Sequence, residues 1–201
     1  MIRSFLLLLF LLLTGSALAA EPAALPDGAT LRGRFVQERV LKGFAAPLRS
    51  EGSFLLSPGR GLVWRAEKPF AVTTVMSPAG LVQEVKGNET MRLPTSRLPF
   101  LSRLYAMLGG ALTGDWRALE GAFTVAREDA GKGWRLVLTP RSTDDPAMPI
   151  RAITVRGDRF VEEVEIAKPD GDHDRLLFLD QTLGTAPPGA EEARLLDGVA
   201  R

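Results

Sequence analysis

The chain has 201 residues, with 25 lysines and arginines against 24 aspartates and glutamates, one histidine and no cysteine. A net charge this close to zero excludes the broad basic surface that nucleic acid or an anionic membrane face requires. Without cysteine there is no disulfide, no thiolate nucleophile and no cysteine-ligated metal, and His173 alone cannot build a multi-histidine metal centre.

Residues 1–19 have the layout of a secretory signal peptide. Arg3 is the single cation, an apolar run extends from Phe5 to Leu13, and Ala17-Leu18-Ala19 forms an A-x-A cleavage pattern. The apolar run is too short to remain as a membrane anchor. Its removal takes Arg3 away and leaves 24 basic against 24 acidic residues. The mature chain is expected to be exported and soluble, with no cysteine to carry a lipid. Residues 20–29, with Pro22 and Pro26, read as a linker, and residues 30–201 as one domain.

From Thr30 onward the pattern is that of β-strands. Leu31–Val40 is the first run, with Phe35 and Gln37 on one face. Ser50–Leu56, Leu62–Arg65, Phe70–Met76, Leu81–Val85 and Glu89–Leu93 follow, separated by Pro58-Gly59, Pro78-Ala79-Gly80 and Gly87-Asn88. The period then changes. Pro99 opens a stretch in which Phe100, Leu101, Leu104, Met107 and Leu108 recur at helical spacing, and Gly109-Gly110 closes it. This predicts a short amphipathic helix over 99–108, and Asp115–Leu119 could add one helical turn. Strand patterns return at Ala122–Arg127, Trp134–Thr139, Ile150–Arg156, Arg159–Ala167 and Arg175–Leu179. The tail beyond Gly184 contains Pro187-Pro188-Gly189 and is expected to be irregular. About ten strands joined by short loops must be antiparallel, since parallel neighbours need long crossovers. A sheet this long must curl, and the apolar helix can cover its inner side.

Other constellations carry little chemistry. Asp170, Asp172 and Asp174 have the spacing of a calcium loop, but Arg175 stands where its glycine belongs and Gln181 where its bidentate glutamate belongs. A polar hairpin tip is the simpler reading. No G-x-S-x-G nucleophile motif is present, and a hairpin tip is a poor place to enclose His173 as a catalytic base. Glu163 and Glu165 share one strand face, most simply the solvated one. Neither an enzyme, a metal nor a cofactor is expected.

A series of short matches in order resembles the periplasmic outer-membrane lipoprotein carriers of the LolA type, as a divergent member. Phe35-x-Gln37 is followed by Ser50-x-Gly52-x-Phe54, Pro58, Trp64, Lys68-Pro69-Phe70 and Gly80. Then come Pro99-Phe100, Leu112-x-Gly114-Asp115-Trp116, Trp134-x-Leu136-x-Leu138-Thr139-Pro140, Asp170-Gly171-Asp172 and Phe178. The resemblance runs from about Leu31 to Pro188. It implies a mainly β fold, an incomplete antiparallel β-barrel with short helices lidding an apolar cavity. It also implies a periplasmic carrier, plausibly monomeric, which takes an acylated lipoprotein or lipid from an inner-membrane transporter and delivers it to an outer-membrane acceptor. Two features depart from the family. Pro22, Pro26 and Gly28 leave little room for its long first helix. Ser57 stands where its lid-holding arginine precedes the proline of the second turn.

Carrying such cargo sets a physical requirement. At ~0.8 kcal/mol per methylene, a sixteen-carbon chain costs on the order of 12 kcal/mol to hold in water. The cavity must hide whole chains yet release them, which suits aromatic and methionine linings. The candidate lining residues are Phe35, Phe54, Leu62, Trp64, Met76 and Met91, with Phe100 and Leu104 as the lid's inner face. The resemblance places Leu62 and Trp64 at cavity-facing positions. Arg60, the arginine nearest the vacant family position, is the candidate lid latch, which would hold loop carbonyls in the empty state and release them when cargo arrives. On pattern alone the same apolar faces are ordinary core. The competing account is therefore an envelope assembly factor with a filled β core, or a carrier dedicated to a non-lipoprotein acylated lipid.

Overall fold

In a computed structural model that describes residues 25–26, 28–95, 109, 112, 117–128, 133–142 and 150–199, the strand patterns form one antiparallel sheet of eleven strands. Six of them, β1 (Thr30–Val40), β2 (Leu48–Ser57), β3 (Gly61–Lys68), β4 (Val72–Ser77), β5 (Gly80–Val85) and β6 (Asn88–Pro94), meander from the middle of the sheet to one edge. A one-turn helix, α1 (Arg117–Glu120), leads into the opposite edge. From there β7 (Phe123–Glu128), β8 (Trp134–Pro140), β9 (Ala152–Gly157), β10 (Val161–Ala167) and β11 (His173–Gly184) return to the middle, where β11 pairs with β1. The two edges, β6 and β7, do not pair, so the barrel is incomplete.

Period-two patterning decides which face each side chain takes. Along β8, Trp134, Leu136 and Leu138 are buried while Arg135 and Val137 between them are partly exposed. One apolar cluster includes Met76 of β4 and Phe123 of β7, strands that lie far apart in the sheet order. They share a cluster because the sheet curls, which defines an inner face. Leu112 and Leu119, from the stretch between β6 and β7, belong to the same cluster. That stretch therefore reaches the inner side, although the helix expected over 99–108 lies outside the described residues. Leu25 also packs against this cluster, so the end of the expected linker is docked.

Turn chemistry closes the hairpins. The β5–β6 turn uses Lys86 and Gly87, both at positive φ (52° and 78°), which matches the twist of the flanking strands. It sits one residue earlier than Gly87-Asn88. Gly80 starts β5 where a Cβ would lie 2.5 Å from the Leu93 carbonyl oxygen, so only glycine lets β6 come this close.

Two sequence expectations are corrected. Phe70 and Ala71 precede β4, and Phe70 is 77% exposed instead of opening the strand. The tail after Gly184 is not irregular throughout, because Ala190–Gly198 forms a second helix, α2. Pro187 and Pro188 lie before its first turn, where they do not interrupt it. The Glu192 carboxylate accepts a hydrogen bond from the Gly189 N–H at 2.8 Å, and Glu191 and Glu192 complement the helix N-terminus. Leu195, Leu196 and Val199 form a stripe buried against Leu55, Val63, Val75 and Val82 on the outer face of β2–β5.

Candidate functional site

Directly paired residues on antiparallel neighbours share a face, so the register maps the inner surface. One row runs Leu31, Leu56, Leu62, Met76, Leu81 and Leu93 across β1 to β6. The next runs Gly33, Phe54, Trp64, Thr74, Gln83 and Met91. Phe35 lies one step further along β1, opposite Gly52 and Phe178. Six of the candidate lining residues, Phe35, Phe54, Leu62, Trp64, Met76 and Met91, therefore lie on one face. Phe100 and Leu104 lie outside the described residues.

These six are not equivalent. Phe35 stacks on Trp64 with ring centroids 3.7 Å apart, and Phe54 meets Phe178 edge-on at 5.4 Å. Gly33 makes this possible, because a Cβ there would approach the Phe54 ring to 2.7 Å. Phe35, Phe54, Leu62 and Met76 are buried in the inner cluster, and Trp64 packs against it half-buried. Met91 is 43% exposed, at the free edge formed by β6. Its place is the rim of this surface, because an edge strand has a neighbour on one side only.

The inner face is thus filled on one side and partly open on the other. On β8–β11, Trp134, Leu136, Leu138, Ile153, Val155, Val161, Val164, Leu176 and Phe178 are all buried. On β3–β6, Trp64, Ala66, Val72, Thr74, Leu81, Gln83 and Leu93 are only partly buried. Within the open part, the Gln83 Nε2 donates to the Thr74 Oγ1 at 3.1 Å.

Arg60, the candidate latch, has an ion-pair partner on the outer side of the sheet. It sits in the β2–β3 turn, and its guanidinium pairs with Asp197 of α2 at 2.9 Å. This pair braces the outer face, and the lid that Arg60 is expected to latch lies outside the described residues. Sequence reasoning does not find this pair because Asp197 lies far along the chain. Other pairs join α2 to the sheet in the same way: Arg32–Glu192 at 3.0 Å, Arg65–Glu191 at 3.2 Å and Arg194–Glu84 at 3.4 Å. Burial pushes the Glu192 carboxyl up, but hydrogen bonds from Arg32 and the Gly189 N–H outweigh it and hold its pKa below the ordinary glutamate value.

At the end of the inner face beyond Phe35, an open groove of about 470 Å³ lies between Gln37, Leu48, Ser50 and Phe70. Leu48 and Phe70, both exposed, were not singled out as site residues from sequence. Leu48 is the first residue of β2 and Phe70 lies in the β3–β4 loop, where no alternation marks an exposed apolar side chain. Nearby, Asp174 is buried and accepts from Arg39 at 2.7 Å and Lys168 at 2.9 Å. Burial raises its pKa, but these two cations prevail and hold the carboxyl below the ordinary aspartate range. Of the residues that resembled a calcium loop, Asp174 thus serves an ion-pair cluster. Glu163 lies on the outer face, bonded by Arg175 at 2.7 Å.

The family described as outer membrane lipoprotein carrier protein LolA-like matches residues 22–193. No curated protein matches the chain. Among solved structures, a LolA superfamily protein from Nitrosomonas europaea is similar at 9% identity, covering 88% of this chain and 93% of that one, with a TM-score of 0.42. A putative outer membrane lipoprotein-sorting protein domain from Vibrio parahaemolyticus is similar at 11% identity, covering 87% and 92%, with a TM-score of 0.39. The MucA/MucB complex of Pseudomonas aeruginosa is similar at 16% identity, covering 81% of this chain and 54% of that one, with a TM-score of 0.39. On the family match, which covers most of its length, the chain belongs to the LolA-like family.

Proposed function

We propose that this member of the LolA-like family is a non-enzymatic periplasmic carrier that shields the acyl chains of a lipoprotein or related lipid. It would receive cargo from an inner-membrane transporter and deliver it to an outer-membrane acceptor. The observation that carries this reading is the half-buried inner surface from Trp64 to Met91, beside a face that is otherwise packed. An apolar surface left partly uncovered costs stability unless it has a use. Acyl chains fit it chemically. Trp64 and Met91 offer adaptable contact area, with Phe35, Phe54, Leu62 and Met76 as the floor behind them. Phe100 and Leu104 complete the lining from the lid side in this proposal. Export follows from the signal pattern in residues 1–19. A filled-core assembly factor would have no reason to leave the β3–β6 inner row half-buried.

The test is extraction of cargo from a membrane. The mature protein is mixed with vesicles that carry a fluorescent diacylated lipopeptide, and the vesicles are then sedimented. A soluble complex of protein and lipopeptide is expected, and less of it with Ala66→Phe, which fills the open surface. If the wild-type protein leaves all the lipopeptide in the pellet, the carrier reading is wrong and the filled-core account replaces it.

A further inference from the structure

The inner positions of β3–β5 are Leu62, Trp64, Ala66, Val72, Thr74, Met76, Leu81 and Gln83. None is charged. The outer positions of the same strands and β6 do carry charges, Arg65, Glu84 and Arg92, beside the valines that α2 covers. On the inner face of β3–β5 the polar content is confined to one adjacent pair, Thr74 and Gln83. Their mutual hydrogen bond of 3.1 Å uses one amide N–H of Gln83. The Gln83 side-chain Oε1, its second Nε2–H and the Thr74 hydroxyl proton have no other partner among the described residues. The pair sits between Trp64 and Met91 in its row, within the partly open surface.

We propose that Thr74 and Gln83 form a neutral polar anchor for the carbonyl that links an acyl chain to its cargo. This inference rests on the carrier reading and sharpens its substrate class. The anchor favours acyl esters and amides over plain hydrocarbon chains, because a buried carbonyl needs a donor and Gln83 supplies one. It disfavours a fatty carboxylate, since no cation faces the pair from the inner positions of β3–β5 and an unpaired charge is costly to desolvate. The acyl chains then extend along the apolar rows on either side, and the linkage fixes their register.

The experiment compares dipalmitoylglycerol, which has ester carbonyls, with dihexadecylglycerol, the ether analogue of the same chain length. Each competes with a fluorescent naphthylamine bound to the mature protein. The wild type should prefer the ester by roughly threefold to tenfold, the range of one net hydrogen bond. Gln83→Met keeps the volume and should lower ester affinity to the ether level without changing ether affinity. Thr74→Ser keeps the hydroxyl and should retain the preference, which guards against a folding defect as the cause. An ester-to-ether ratio equal in wild type and Gln83→Met would overturn the anchor while leaving the carrier reading intact. If neither lipid displaces the naphthylamine from wild type, the carrier reading itself fails and the anchor falls with it.

Discussion

Strands β8–β11 bury their inner side chains almost completely, whereas β3–β6 bury Leu62 and Met76 but leave Trp64, Thr74, Leu81, Gln83 and Leu93 half-covered. The outer faces show the reverse. Over β7–β11 and β1 the outer surface carries cross-strand ion pairs, Glu128–Arg135, Arg156–Glu163 and Arg175–Glu38 among them, and faces water. Over β2–β5 it is apolar and covered by α2. The filled part of the sheet thus has its dry face inside, while β2–β5 bury residues on both faces and are covered outside by α2. A strand with neither face buried would be marginal, so the outer helix is what lets the inner surface of β3–β5 stay available. Trp64, Thr74 and Gln83 lie on β3, β4 and β5, whose outer residues Val63, Val75 and Val82 are buried under α2.

The comparison can be broken from either side. The largest effect is expected on the filled side, where Phe35→Ala should cost about 3–5 kcal/mol by removing a fully buried ring and its stack with Trp64. Chemical denaturation measures this, and a loss under 1 kcal/mol would mean that the aromatic cluster is not core. Next comes the brace. Leu196→Ala should cost about 2–4 kcal/mol, and hydrogen exchange should quicken in β3 and β4 before β8 and β9. Uniform acceleration across the sheet would contradict separate support for the two parts.

Acid probes both parts more gently. Asp174 on the filled side and Glu192 on the brace have folded pKa values below their ordinary ones. A depressed carboxyl contributes stability that is complete above the ordinary carboxylate range. It is lost as pH falls through that range toward the folded value. Asp174→Asn and Glu192→Gln should each flatten part of the decline in stability below about pH 4. Unchanged acid profiles in both variants would remove these pairs from the account. The smallest effect is expected for Arg60→Ala, within about 0.5 kcal/mol, because its pair with Asp197 is exposed. Cargo binding should also be unchanged. A marked change in binding would support the latch role for Arg60.

Much of this was legible in local pattern. Alternation such as Trp134-Arg135-Leu136-Val137-Leu138 marks a strand and its buried face without reference to any partner. Turn residues between the runs mark antiparallel order. The placement of Phe35, Phe54, Leu62, Trp64, Met76 and Met91 on one face follows from the same period once the register is known. Phe70 was misplaced because its β-rich neighbours Val72–Met76 extend a pattern that the chain does not follow back through Pro69. The helix α2 was missed because two prolines and a glycine outweighed a short stripe, Leu195, Leu196 and Val199. That stripe is convincing only beside the outer face that it covers.

The sequence by itself determined that this is a cysteine-free β protein with antiparallel strands, since period, turns and composition are local properties. Tertiary structure alone decided which apolar positions are core and which remain open. Trp64 and Leu62 have the same pattern, yet one is half-buried and the other fully buried. It also decided that Arg60 meets Asp197 and that Thr74 meets Gln83. Burial and pairing depend on what the curled sheet and its outer helix bring together, and separation along the chain carries no trace of that.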